Sequence, residues 1–185
     1  MKMSKKIAIL VGSLRKGSFN RMIAQTLVDE APEGYEFAFV ELGDLPLYNP
    51  DLDEGDVPSQ WTRLRADIKS ADAVMFVTPE YNRSVPASIK NALDIGSRPY
   101  GQSVWAGKPA LVVSGSMGGI AGFGANHHLR QSLVFLDMPV VQQPEAYIGA
   151  IHTLFDENGK MSNEGTREFM GKIMAAFDAW IKKLA

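Results

Sequence analysis

Five short apolar runs alternate with five longer segments of helical period along the chain, and this rhythm restricts the fold more than any other feature. The runs are Ile7–Val11, Phe37–Leu42, Ala73–Thr78, Ala110–Ser114 and Met138–Val141. Three of them (IAILV, AVMFV and ALVV) are continuously apolar, the pattern of strands covered by helices on both faces. Phe37–Leu42 includes Glu41 and precedes a long loop, which suits a place nearer the edge of a sheet.

Between the runs, apolar residues recur three and four apart. Phe19, Met22, Ile23 and Leu27 share one helical face, as do Trp61, Leu64 and Ile68. Ile89 with Leu93, and Leu129 with Leu133 and Leu136, repeat the spacing. Phe169, Ile173, Phe177, Trp180 and Leu184 form the same stripe near the C-terminus. A strict β-α alternation predicts a parallel sheet with right-handed crossovers and helices on both faces, an α/β doubly wound domain. Gly43–Pro58, rich in Pro, Gly and Asp, reads as a long loop, and Tyr147–Ser162 as a loop or small hairpin around Asp156-Glu157-Asn158-Gly159. No repeat or linker interrupts the pattern, so residues 1–185 are read as one domain.

Charge and cysteine content exclude several functions. A net charge of −2 argues against a nucleic-acid binder that must neutralise many phosphates, and against a strongly acidic electron carrier. With no cysteine, disulfides, thiolate metal sites and cysteine nucleophiles are ruled out. The basic start Met1–Lys6 is followed by an apolar run that stops at Gly12-Ser13, too short for a signal-peptide core. No stretch approaches the ~20 apolar residues of a membrane span. These features predict a cytoplasmic protein that does not engage membranes.

The segment Gly12-Ser13-Leu14-Arg15-Lys16-Gly17-Ser18-Phe19-Asn20 leaves the first buried run and enters the first helix. It has neither Walker spacing nor a G-x-G-x-x-G turn. It does offer Ser13, Ser18 and Asn20, the Arg15 guanidinium, and free N–H groups at a helix start. Ser18 stands at the expected N-cap, and Arg21 occupies the place of a capping-box Glu, which leaves the helix start open to an outside anion. A dianionic phosphomonoester suits that environment.

Two further loops follow buried runs. Thr78-Pro79-Glu80-Tyr81-Asn82-Arg83-Ser84-Val85-Pro86 is polar and stiffened by two prolines, fit to hold backbone groups against a flat heteroaromatic ring with Tyr81 and Asn82 at its edge. Ser114-Gly115-Ser116-Met117-Gly118-Gly119 is small enough to let a planar ligand approach the backbone. Three ligand-friendly loops at the same end of one sheet lie where open α/β sheets bind ligands.

The segments GSLRKGSFN, PEYN followed by SVP and KNALD, and SGSMGG resemble the NAD(P)H-dependent FMN reductase family, and within it the bacterial quinone and chromate reductases. LPLYNPDLD, AGKPALVVS and HLRQSLVFLDMPVV extend the similarity along the chain. The resemblance implies a flavodoxin-like fold of strand order 2-1-3-4-5. It implies that Ser13, Arg15, Ser18, Phe19 and Asn20 hold the FMN phosphate end. Pro79, Glu80, Tyr81 and Asn82 would line the isoalloxazine, Glu80 chiefly through its backbone, and Ser114, Gly115 and Ser116 would pass beneath its other end. Chemistry would occur at the flavin N5, with NADPH or NADH as donor, ping-pong kinetics and no catalytic side chain. Quinones, flavins, azo compounds and metal oxyanions such as chromate are the implied acceptors. Arg83 and Arg98 are candidate contacts for NADPH phosphates or an anionic acceptor. The adjacent His127 and His128 lack further ligands at metal-binding spacing and read as surface or interface residues.

The family likeness also implies a dimer or a dimer of dimers, and the apolar segment HLRQSLVFLDMPVV, with Tyr147 and Trp105, points to burial beyond one subunit. Two other functions share parts of this pattern: a flavodoxin-type electron carrier serving a protein partner, and a non-redox phosphate binder. The weak net charge and the cations Arg15, Arg83 and Arg98 favour small-molecule traffic over the carrier.

Overall fold

The computed structural model describes residues 4–185, so Met1, Lys2 and Met3 of the basic start lie outside the described residues. Five strands form one parallel sheet: β1 (Lys5–Val11), β2 (Tyr35–Phe39), β3 (Ala73–Thr78), β4 (Ala110–Gly115) and β5 (Ala146–Ile148). Their spatial order is β2-β1-β3-β4-β5, the flavodoxin-like doubly wound order. The helices are α1 (Phe19–Asp29), α2 (Pro50–Asp53), α3 (Ser59–Lys69), α4 (Ala87–Gly96), α5 (Phe123–Phe135) and α6 (Glu164–Leu184).

The continuous apolar runs are explained by two cores. Side chains alternate across a strand, so Ile7, Ile9, Met75, Val77 and Val113 meet α1 and α6 on one face. Ala8, Leu10, Val74, Phe76 and Val112 meet α3, α4 and α5 on the other. Leu27 and Phe177 anchor the first layer; Trp61, Ile89 and Leu129 anchor the second. A strand with only one covered face would have needed a polar residue at every second position.

Three expectations shift. The fifth strand is not Met138–Val141. Pro139 has no N–H to donate, and Val140 makes only an isolated bridge to Ala110. The chain stays beside β4 through Ala110 N–H to Pro139 O (3.0 Å) and Val141 N–H to Ala110 O (2.9 Å), then re-enters the ladder at Ala146 opposite Val113. The C-terminal stripe is also rotated. Ile173 and Phe177 are buried as expected, but Met170, Met174 and Ile181 complete the buried face, while Leu184 is 43% exposed. Finally, Gly43–Pro58 contains α2, capped by Asn49 Oδ1 from Asp51 N–H (3.1 Å). The rest of that loop is pinned by Asn91 Oδ1, which accepts Tyr48 N–H at 2.8 Å, and by Trp61 Nε1–H to Pro46 O at 3.0 Å.

Tyr147–Ser162 starts in β5, forms a short 3-10 turn at Ile151–Thr153, and folds back in a small hairpin with Phe155 bridged to Met161. Asp156 Oδ1 accepts N–H groups from Asn158 and Lys160, both at 2.9 Å, which closes the tip. Phe155 stacks on Phe19 with centroids 6.1 Å apart, so this distant segment covers the start of α1.

Candidate active site

At the carboxyl ends of β1, β3 and β4 the three loops meet in a cleft of about 370 Å³, within the ordinary range for small-molecule sites. It lies at the β1/β3 switch point, where a crevice opens because neighbouring connections leave on opposite faces.

The first loop supplies Ser13, Arg15, Ser18, Phe19 and Asn20. Gly12 N–H is held by Val77 O (2.9 Å), and Ser88 Oγ–H donates to Gly12 O (2.7 Å), so the loop base is fixed to β3 and α4. A Cβ on Gly12 would lie 2.7 Å from Pro86 Cγ, which explains why glycine stands there. Beyond it, the N–H groups of residues 13–17 form no hydrogen bond among the described residues. Ser18 caps α1 by accepting Arg21 N–H at 3.3 Å, which leaves its own O–H free to donate into the cleft. Arg15 is exposed and enters no ion pair among the described residues. A helix start, unused N–H groups and an unpaired guanidinium together make an anion cradle.

Asn20 is 4% exposed. Its Nδ2 donates to Gly115 O (3.3 Å), which ties the first loop to the third, while Oδ1 is buried without a partner. An orphaned buried acceptor is costly, and a ligand hydroxyl or N–H in the cleft would satisfy it. This is the sharpest sign that a polar ligand with donors completes the site. FMN, with a phosphate dianion, ribityl hydroxyls and a ring N–H, fits this set of groups.

The second loop supplies Pro79, Glu80 and Tyr81. Tyr81 and Ser84 pair through both backbone groups at 3.0 Å, and the central Asn82 and Arg83 have φ of 51° and 65°. That is a two-residue hairpin with a left-handed tip, easy for Asn and strained for Arg. Glu80 does more than the expected backbone contact. Its carboxylate, 10% exposed, accepts Ala125 N–H at 3.0 Å and pairs with Arg83 at 3.0 Å. α5 has no side-chain cap of its own, so Glu80 caps it from another element and meets the positive end of its dipole. Gly124 permits this approach: a Cβ there would lie 2.9 Å from Glu80 Oε2 and 3.0 Å from Arg83 O.

The third loop supplies Gly115 and Ser116, joined by Met117 and Gly118; Ile151 enters from the turn after β5. Met117 and Gly118 sit inside the glycine-rich segment and were open to recognition from composition, whereas nothing local to Ile151 marks it. Ser114, expected at the ligand, is fully buried. Its Oγ–H donates to Ala121 O (2.9 Å) and its oxygen accepts Asn126 Nδ2–H (3.3 Å), so it fixes the loop from behind. Asn82 stands exposed at the hairpin tip and does not line the cleft. Arg83 is turned onto Glu80, and Arg98 lies at the end of α4, beside a groove between α4 and α5 rather than the cleft.

Next to the third loop, Phe123, His127 and Tyr147 cluster, with His127 Nε2 2.8 Å from the Tyr147 hydroxyl. Burial, then the hydrogen bond to Glu145, pushes the Tyr147 phenol up to about 12. Ser84 Oγ lies 2.7 Å from His128 Nδ1, a second tie between the hairpin and α5. Among the described residues no group of three or more His, Asp or Glu is placed to hold a metal. No described helix is long and apolar enough to cross a membrane.

Comparison with known proteins shows the family to which the chain belongs. Residues 5–153 match the model of the family described as NADPH-dependent FMN reductase. The chain is 56% identical over 176 residues to a quinone reductase of Pseudomonas putida, covering 95% of this chain and 94% of that protein. It is 44% identical over 180 residues to a 2-hydroxy-1,4-benzoquinone reductase of a Burkholderia species, with 97% and 98% covered. Among solved structures, FerB of Paracoccus denitrificans, a flavoenzyme NAD(P)H:(acceptor) oxidoreductase, superposes with a TM-score of 0.91 at 42% identity, over 97% of this chain and 98% of that one. The chain therefore belongs to the NADPH-dependent FMN reductase family, as an oxidoreductase with FMN as its cofactor and NAD(P)H as its electron donor.

Proposed function

We propose that this enzyme reduces quinones, with FMN seated in the cleft between the three loops at the carboxyl ends of β1, β3 and β4. The observation that carries the placement is the first loop, where unused N–H groups at the start of α1 meet an unpaired Arg15 beside the orphaned Asn20 Oδ1. Bound FMN supplies the hydride acceptance and release that no side chain of this protein provides.

The protein contributes placement and electrostatics. Ser13, Arg15, Ser18 and the loop N–H groups neutralise the phosphate dianion through charge-assisted hydrogen bonds. Asn20 receives a ligand donor at Oδ1, and Phe19 closes the cleft beneath it. Pro79, Glu80 and Tyr81 carry the ring edge on a hairpin braced by α5, while Gly115 and Ser116 leave room at the other end. Met117, which lines the cleft and is 60% exposed, gives it an apolar rim suited to a planar quinone. The naming of relatives as quinone reductases supports the same acceptor. One open cleft serves donor and acceptor in turn, which makes the kinetics ping-pong and admits flavins, azo compounds and chromate as secondary acceptors.

We further assign the enzyme to the cytoplasm, as one domain that assembles into a homo-oligomer. The apolar segment on α5 is spent mostly inside the subunit, where Leu129 and Leu133 are fully buried, and Trp105 is likewise core. Val134 and Phe135 remain 75% and 86% exposed on α5 and are assigned to a second copy. Light scattering at micromolar concentration should give a dimer or tetramer mass, and a monomer there would remove the assembly.

The function is tested by one anaerobic absorption experiment. The flavin spectrum should bleach on mixing with NADPH and return on addition of benzoquinone. A flavin spectrum that NADPH leaves untouched would sink the reductase reading, and a protein that never takes up FMN would sink the site. Arg15→Ala should weaken FMN binding by about 1.5–3 kcal/mol, the range for a hydrogen bond to a charged group. Unchanged affinity in a fluorescence titration would reject the phosphate assignment.

A further inference from the structure

A second cleft, also about 370 Å³, lies on the β2 side of the first loop. It shares Ser13, Arg15 and Ser18 with the cofactor cleft, so the two flank the same loop. Its far wall comes from the chain leaving β2, with Glu41 and Leu42, and Arg21 from α1 faces it. Arg21 lines this cleft and not the cofactor cleft.

We propose that this second cleft receives the phosphorylated adenosine end of the nicotinamide donor, and that Arg21 reads the 2′-phosphate that distinguishes NADPH from NADH. The inference rests on the FMN placement above, because a nicotinamide stacked on the flavin must lead its other end out of the cofactor cleft, and the shared loop is a direct exit.

Three observations carry it. Arg21 is preorganised: its guanidinium carbon lies 3.6 Å from the Phe39 ring centroid, and the group forms no ion pair among the described residues. A guanidinium held over an aromatic face has its position fixed while its N–H groups stay available to a phosphate. Glu41 is fixed as well, with Oε1 accepting Gly43 N–H at 2.8 Å. Its carboxylate follows β2, where an acidic group accepts ribose hydroxyls in dinucleotide sites and repels a 2′-phosphate. With Arg15 committed to the FMN phosphate, Arg21 is the cation left in this cleft to offset Glu41 and receive the 2′-phosphate. Leu14, 58% exposed, adds apolar surface for the base.

The test compares kcat/KM of the holoenzyme for NADPH and NADH at saturating quinone. Wild type should favour NADPH. Arg21→Ala should lower efficiency with NADPH roughly 10- to 100-fold, and with NADH by no more than about 3-fold. Glu41→Gln, which keeps the acceptor for Gly43 N–H, should move the ratio the opposite way. Calorimetric binding of 2′,5′-ADP to the holoenzyme should weaken in Arg21→Ala. Equal loss with both donors, or an unaltered NADPH efficiency and 2′,5′-ADP affinity, would overturn the assignment. If neither nicotinamide bleaches the flavin, the functional reading fails instead, and 2′,5′-ADP binding still decides the fate of the cleft.

Discussion

Trp105→Ala should lower the unfolding free energy by about 3–5 kcal/mol, the range for emptying a buried large aromatic. The indole is fully buried in the layer between the sheet and α3–α5, with its centroid 6.1 Å from that of Phe76. Its Nε1–H donates to Leu93 O at 3.1 Å, so truncation also removes that carbonyl's side-chain partner. The surroundings are shaped to the ring: a Cβ on Gly96 would lie 2.5–2.7 Å from three indole atoms. Because Trp105 lines neither loop cleft, a urea titration should show a lower midpoint at unchanged slope while FMN is still bound under native conditions. A residue whose role was subunit contact would instead change the assembled mass and leave the midpoint of the subunit nearly where it was. A midpoint within error of wild type would contradict the core assignment.

Glu80→Ala should cost about 1–3 kcal/mol of stability through the uncapped Ala125 N–H, and weaken FMN binding by roughly tenfold as the hairpin loses its brace. The carboxylate connects three elements: the strand end that carries it, the Arg83 tip of the hairpin, and the first turn of α5. Arg83 is 71% exposed, so its half of the arrangement contributes little, and the helix cap carries most of the effect. Glu80→Gln keeps an acceptor for Ala125 N–H and should recover most of the loss. A residue that bound the ring directly through its charge would behave differently, because Gln would then be as damaging as Ala and the flavin potential would move in both. Equal FMN affinity in Glu80→Ala and wild type would show that the hairpin stands without its brace.

The candidate site was legible to the extent that each part announced itself locally. A buried strand followed by Ser, Arg, Gly and Asn at a helix start encodes an anion cradle within nine residues, and Ser13, Arg15, Ser18, Phe19 and Asn20 do gather in one cleft. Ser114, expected beneath the ring, contributes no side chain to the cleft, because position in a segment does not reveal which way a side chain turns. The last strand residues alternate faces, and Ser114 turns away from the cleft into its support. Arg98 was grouped with Arg83 by charge alone, while the full length of α4 separates it from the hairpin.

What the sequence determined by itself is the layered plan: strands at four of the five apolar runs, the packing face of most helices, and the three loops that meet at one cleft. Those properties arise from burial periodicity and from turn chemistry, both of which are settled within a few neighbouring residues. Tertiary structure alone decided that the fifth strand begins at Ala146, because an apolar run is equally content as a buried strand or as a buried connection beside one. It alone brought Ile151 to the cleft, set the Glu80 carboxylate against α5, and opened a second cleft between Arg21 and Glu41. Such meetings depend on how strands register and helices dock across scores of residues, and no local pattern carries that distance.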